Sequence, residues 1–280
     1  MKQEILNLLE KYDLGPKKYF GQNFLIDQQA LKKIIQVSEI KSADNILEIG
    51  PGLGFLTKEL AKKAKKVAAV EIDKSLYFIL KQELKKIKNI ELINDDILQY
   101  GLEKLKKVFN NQNYKIVANL PYQITSHFLK KFLTAPYHPE QMTLMVQKEV
   151  AERICAKPGA HSLLSLSAQF YSQPEIIQIV DAESFFPKPK VDSAIIKLKN
   201  IHKSSIEVDE NLFFRLLRIG FSAKRKQLQN NLANGFHENK EKFKDLLEKT
   251  GLSVQIRAQE LDLADWQDLY KYLIKLKILK

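Results

Sequence analysis

Between residues 28 and 198, short apolar runs of strand type alternate with segments whose apolar residues recur at helical spacing. The runs Asn45 to Ile49, Lys66 to Val70, Ile90 to Ile93, Lys115 to Ala118, Gln141 to Val146 and Val191 to Leu198 read as strands. Leu53, Leu56, Leu60 and Ala64 keep a helical rhythm after the first run, and Leu76, Ile79, Leu80 and Leu84 keep it after the second. Strand and helix in alternation predict an α/β fold of Rossmann type, a mostly parallel sheet covered by helices. The last run suits a late strand that closes the sheet antiparallel. At the start of the chain, Ile5, Leu8, Leu9 and Tyr12 predict a short amphipathic helix with a structural role.

The polar stretch Asn200 to Ser205 breaks this pattern and is the expected linker. Beyond it the periodicity is helical alone, over Leu212 to Phe221, Lys224 to Ala233, Glu241 to Thr250 and Leu263 to Leu276. The expected organisation is a sheet domain over residues 1–200 and a smaller all-α domain over 206–280. There is no internal repeat and no low-complexity tract.

Composition changes the picture in two respects. Forty-five Lys and Arg against thirty-three Asp and Glu give a formal charge of +12, which favours a polyanionic partner, nucleic acid or an anionic membrane surface. The single Cys155 excludes an intramolecular disulfide and any multi-cysteine metal site, and fits a reducing cytoplasm. No metal chemistry is expected. The N-terminal residues lack the pattern of a secretion signal, and no apolar run reaches membrane-spanning length, so no membrane association is expected.

Candidate chemistry gathers at the ends of the predicted strands, where α/β sheets bind ligands. Glu48-Ile49-Gly50-Pro51-Gly52-Leu53-Gly54 follows the first strand and opens a helix, with glycines that permit a tight turn and close approach to a ligand. Phe55 stands where the dinucleotide fingerprint needs its third glycine, which argues against a nicotinamide cofactor. Glu71 ends the second strand, where a carboxylate accepts hydrogen bonds from ribose hydroxyls, and Asp96 follows the third, within reach of an adenine amine. Polar anchors without a pyrophosphate site fit S-adenosylmethionine. After the fourth strand, Asn119-Leu120-Pro121-Tyr122 offers an amide acceptor, a rigid proline and an aromatic face. It suits either a plain strand-to-helix turn or a grip on a planar amino group.

On these residues the chain resembles the bacterial small-subunit ribosomal RNA adenine dimethyltransferases. Further matching segments are Gly21 to Asp27, Val70 to Asp73, Phe186 to Ser193, Phe221 to Lys226 and Arg257 to Leu261, so the likeness spans nearly the whole length. The resemblance implies that Asn23, Leu25, Gly50, Glu71, Asp96 and Asn119 contact S-adenosylmethionine, with Gly52, Ile72 and Ile97 beside them. It also implies dimethylation of two adjacent adenines in a hairpin loop near the 3′ end of 16S rRNA, within an immature small subunit; a monomer is expected.

An adenine exocyclic amine is a poor nucleophile, because its lone pair is delocalised into the ring. Acceptors that favour the pyramidal nitrogen of the transition state overcome this. The expected acceptors are the Asn119 side-chain oxygen and the Leu120 carbonyl, with Pro121 stiffening the turn, and no general base is needed. A flipped base needs covers. Tyr122 is expected on one face, and Phe185 is either the cover of the other face or a core aromatic. Lys188 and Lys190, in a proline-stiffened loop, and Lys224, Arg225 and Lys226, at the start of a helical segment, are either solvated charge or contacts to RNA phosphates.

Gln123, His127 and the 159–164 segment depart from the family pattern and bear on substrate access, and His127 reads as an early helix residue. Two other readings stand beside this one: a sister enzyme that dimethylates an adenine of large-subunit (23S) rRNA, and a noncatalytic RNA-binding assembly or transcription factor.

Overall fold

The computed structural model describes residues 1–201 and 208–280. Among these the strands are β1 (Phe24–Leu25), β2 (Asn45–Ile49), β3 (Lys66–Glu71), β4 (Ile90–Asn94), β5 (Lys115–Asn119), β6 (Met142–Gln147), β7 (Gln173–Val180), β8 (Phe185–Phe186) and β9 (Ser193–Lys199). The helices are α1 (Lys2–Lys11), α2 (Gln28–Val37), α3 (Phe55–Ala61), α4 (Lys74–Glu83), α5 (Leu102–Val108), α6 (Thr125–Leu133), α7 (Lys148–Ile154), α8 (Leu163–Tyr171), α9 (Glu210–Gly220), α10 (Leu228–Phe236), α11 (Lys240–Lys249) and α12 (Leu263–Lys275).

Seven strands form one sheet in the order β4-β3-β2-β5-β6-β9-β7. β2 to β6 run parallel, and β9 lies antiparallel to both β6 and β7, so the late strand does reverse. All five residues of β2 are buried, as a central parallel strand with both faces covered requires. Helix α2 starts on Asp27, whose carboxylate accepts from the amides of Gln29 and Ala30, and it buries Ala30, Leu31, Ile34 and Ile35. Three of these, Ala30, Ile34 and Ile35, pack in one cluster with Ile46 of β2, Val67 of β3, Val117 of β5, Met145 of β6 and Ile195 of β9.

Two strand features escaped the sequence pattern. β7 is an edge strand with a register shift between Ile176 and Gln178. The shift interrupts the alternation by which a strand is recognised, and Pro174 is tolerated because the strand lies at an edge. β1 and β8 are two-residue strands that pair Phe24 with Phe186 and Leu25 with Phe185, too short for any periodicity.

The chain divides into two compact units, Met1–Ala151 with Tyr171–Lys203, and Glu152–Phe170 with Ser204–Lys280. The expected single division after residue 200 therefore misses the segment 152–170. That segment is joined to the C-terminal helices by Phe170 stacked on Phe213 at 5.1 Å, and by the Gly159 and His161 amides donating to the Gln259 carbonyl. Of the expected linker, residues 202–205 lie outside the described residues. The second unit is helical, with Phe213, Leu217, Leu232, Phe243, Trp266 and Leu269 buried. Its second expected helix starts later than the periodicity implies. Lys224, Arg225 and Lys226 lie in the turn before α10, where the Lys226 amide donates to the Ala223 carbonyl and the Asn231 side chain to Gly220 and Ala223 carbonyls.

Candidate active site

Strand order reverses between β2 and β5, and the crevice outside their carboxyl ends is where such sheets take ligands. A cavity of about 550 Å³ opens there. It is lined by Asn23 and Leu25, by Gly50 and Gly52, by Glu71 and Ile72, by Asp96 and Ile97, and by Asn119 through Tyr122. Segments from the ends of four parallel strands thus meet in one place.

Gly50 and Gly52 have φ of +63° and +60°, a backbone region that side-chained residues rarely adopt. The turn is also crowded, since a Cβ on Gly52 would come within 3.3 Å of the Phe24 ring. The Gly52 amide donates to Glu71 Oε2 at 3.2 Å and the Asp73 amide to Glu71 Oε1 at 2.9 Å, so the carboxylate is held across the turn. Glu71 is 4% exposed. Burial pushes its carboxyl up to about 7, against the pull of those backbone amides. Glu48, wholly buried beside it, is pushed up by burial to about 8. The nearby Thr57 hydroxyl opposes that rise, but neither Glu48 Oε2 nor Thr57 Oγ1 completes a hydrogen bond.

At the end of β5 the Asn119 amide nitrogen donates to the Asn23 carbonyl at 3.2 Å. That bond fixes the amide with its Oδ1 left without a protein partner among the described residues. The Leu120 amide donates to the Met145 carbonyl, whereas the Leu120 carbonyl accepts nothing among the described residues. Two adjacent acceptors therefore stand unused at one wall of the cavity. Tyr122 forms the neighbouring wall, its hydroxyl paired with Ser193 Oγ at 2.7 Å, and burial raises its phenol above the usual range while that pairing opposes the rise. The contents of the cavity fit S-adenosylmethionine: orphaned buried carboxylate oxygen at Glu48, paired carboxylates at successive strand ends, and a glycine turn with no room for a side chain.

The family described as ribosomal RNA adenine dimethylase matches residues 15–275. The chain belongs to that family. A ribosomal RNA small subunit methyltransferase A of Dehalococcoides mccartyi is 43% identical over 263 residues, covering 94% of this chain and 90% of the relative. Another of that name, from Geobacillus kaustophilus, is 40% identical over 270 residues, covering 94% and 92%. Among solved structures, a dimethyladenosine transferase from Plasmodium falciparum matches with a TM-score of 0.75 at 29% identity over 90% of this chain and 98% of that one. The 23S rRNA methyltransferase ErmE matches with a TM-score of 0.73 at 27% identity over 90% and 100%.

Within this dimethylase site, Phe185 corrects one expectation. It is 2% exposed, packs in the core with Ala30, Ile34 and Ile195, and does not line the cavity. Its pairing with Leu25 in the β1–β8 ribbon turns it inward, because neighbouring residues of a strand face opposite sides. Aromatics that do line the cavity include Tyr19, which is 86% exposed, and Phe20, packed edge to face at 5.2 Å. Nothing in the sequence pattern singled these out.

The dimethylase chain also carries a tie beside the cavity that spacing alone does not reveal. Lys17 Nζ pairs with Asp73 Oδ1 at 2.9 Å, and Gln22 Nε2 donates to Asp73 Oδ2 at 2.8 Å. Burial raises the Asp73 carboxyl, but these bonds outweigh it and leave it below the ordinary value. Residues 19–23 are thereby tied to the strand end that carries Glu71. Of the predicted RNA contacts, Lys188 and Lys190 are exposed in the first unit outside the cavity, with Lys188 paired to Glu183. Lys224, Arg225 and Lys226 are exposed in the second unit with no acidic partner among the described residues. His127 is an exposed residue of the first turn of α6, away from the cavity lining, whereas Gln123 lines the cavity. Among the described residues no group of three or more His, Cys, Asp or Glu is placed to hold a metal, and no helix is long and apolar enough to cross a membrane.

Proposed function

We propose that this chain transfers methyl groups from S-adenosylmethionine to the N6 amino groups of two adjacent adenines in the 3′-terminal hairpin loop of 16S rRNA, within an immature small ribosomal subunit in the cytoplasm, acting as a monomer. The observation that carries this is the pair of unused acceptors, Asn119 Oδ1 and the Leu120 carbonyl, on the wall of a cavity that also holds Glu71 and Asp96. The cofactor, when bound, supplies a methyl group on a sulfonium for transfer to a nucleophilic nitrogen. Glu71 would accept from the ribose hydroxyls, Asp96 and Ile97 would hold the adenine, and Asn23, Leu25, Gly50 and Gly52 would hold the remainder.

The chain's own contribution to the chemistry is orientation. The two acceptors take the two hydrogens of the target amine, which localises its lone pair on nitrogen and turns it toward the methyl. The nitrogen becomes a cation on methylation and loses its proton to water, so no side-chain base is required, and none of the cavity carboxylates needs to serve as one. Tyr122, pinned through Ser193, stacks on the flipped base, a contact worth roughly 1–3 kcal/mol. Since one pocket holds one amine, the base is released or turned between transfers.

The small-subunit reading is supported by curated relatives of that name at up to 43% identity, against 27% for the large-subunit enzyme ErmE. It is tested by supplying isotope-labelled cofactor to purified small and large ribosomal particles lacking these modifications, then mapping labelled adenines by mass. Label confined to two neighbouring adenines of the small particle is the expected result. Label in 23S rRNA, or none in either particle, overturns the reading.

A further inference from the structure

We propose that Lys131 is a positioning residue for the cofactor's adenine, locking the loop that carries Asp96 and Ile97 to the helix that follows the methyl-accepting motif. The inference rests on the adenine reading of Asp96 given above. Lys131 lies on α6, which begins directly after the single 3-10 turn Tyr122–Ile124. Its ammonium donates to three backbone carbonyls of one loop: Ile97 at 2.8 Å, Leu98 at 3.0 Å and Tyr100 at 2.6 Å. An ammonium has three donors. All three are spent on this loop.

The same loop is held from its other side by Asp96. Asp96 Oδ1 accepts from the Leu98 amide at 2.8 Å, and its backbone carbonyl accepts from the amides of Gln99 and Tyr100. Amides converge on Asp96 and carbonyls on Lys131, so both kinds of backbone group in the turn are held. Asp96 Oδ2 is left without a protein partner among the described residues, at the cavity wall. Without the ammonium, three carbonyls of a part-buried loop lose their donors at once, and the loop relaxes to find others. Asp96 and Ile97 move with it. Burial pushes the Lys131 ammonium down from its ordinary value while Asp96 and Asp95 push back, as expected of a cation kept for a structural purpose beside two carboxylates.

Because all three bonds run to the loop that carries Ile97, the clamp acts on the adenine subsite and leaves the Asn119–Tyr122 wall in place.

Titration calorimetry and steady-state kinetics on the full chain test this. Lys131→Met is expected to weaken S-adenosylmethionine binding about tenfold and to raise its KM by a similar factor, with kcat at saturating cofactor changed less than about twofold. Lys131→Arg, which retains donors on a long stem, restores affinity to within about threefold. Combined with Asp96→Ala, Lys131→Met costs less than the sum of the separate losses, since both act on one subsite. Parental affinity in Lys131→Met, or full additivity with Asp96→Ala, overturns the proposal. Should Lys131→Met fail to fold, Lys131→Gln takes its place, with an intermediate loss expected and parental affinity again decisive against it. An Asp96→Ala protein that binds adenosine as the parent does strikes instead at the adenine reading of Asp96, so the two failures are told apart.

Discussion

A carboxylate buried without a cation beside it keeps its proton unless something donates to it, and Glu71 is in that position. Two backbone amides hold its oxygens, yet burial leaves its carboxyl at about 7. Under the proposed ribose contact the hydroxyls would stabilise the ionised form, so binding would draw the proton off and affinity would rise as pH climbs through the folded value. Adenosine, which does not itself titrate near neutrality, is the cleanest probe. Its affinity is expected to increase from pH 6 to pH 8 and then level off, and Glu71→Gln is expected to bind weakly with no such slope. Calorimetry in buffers of differing ionisation enthalpy reads the released proton directly. A flat profile in the parent chain would exclude Glu71 from the ribose contact. Asn119, also in the cavity lining, is the proposed acceptor for the target amine. Removing its acceptor in Asn119→Ala is expected to lower kcat by roughly 10²-fold or more while RNA affinity changes little, as for loss of one well-placed transition-state hydrogen bond. Single-turnover methylation and filter binding together separate those outcomes. Residues of this kind were legible in advance, because Glu71, Asp96 and Asn119 each sit where a predicted strand ends. Phe185 was not, since only its pairing with Leu25 decides that it faces the core.

Elements extend the same reasoning. In the second unit, α9 and α12 approach so closely that a Cβ on Gly220 would come within 2.2 Å of Trp266 Cη2. Trp266 is fully buried and stacks on Phe221 at 5.8 Å, so it has nowhere to retreat. Gly220→Ala would gain helix propensity of up to about 1 kcal/mol, but overpacking costs about 1–3 kcal/mol. A lower midpoint in denaturant unfolding is therefore expected, and a raised midpoint would show that the helices part at no cost. The strands that periodicity revealed are those with an uninterrupted register, β4 at the other edge of the sheet among them. β7 was missed because its register shift and edge position remove the alternation, and β1 and β8 because two residues carry no period. Helix α10 starts later than its apolar spacing suggested, because a side chain from Asn231 captures the carbonyls of the preceding turn. Such a capture is invisible to periodicity.

At the scale of the whole molecule, a charge of +12 favours a polyanionic partner, and neutralising phosphate contacts makes affinity depend on salt. Lys224, Arg225 and Lys226 are exposed in a turn, without acidic partners among the described residues. Replacing all three with Gln is expected to weaken binding to small ribosomal particles and to reduce the slope of log affinity against log salt by about 2 to 3, because each neutralised phosphate releases its own counterion. An unchanged slope would exclude them from the phosphate contacts. The turn setting matters to this expectation, since a loop can adapt to a phosphate track where a helix would present only one face.

What the sequence by itself determined was the alternation of strand and helix, the glycine turn, the carboxylates at successive strand ends and the family. Each is written in contiguous residues, where local sterics and burial periodicity act. Only the tertiary structure decided that Phe185 turns inward, that residues 152–170 join the C-terminal helices, that Asn23 orients the Asn119 amide and that Lys131 reaches the loop after β4. Those outcomes depend on which distant segments pack together, and no spacing along the chain encodes a hydrogen bond between residues 34 or 96 positions apart.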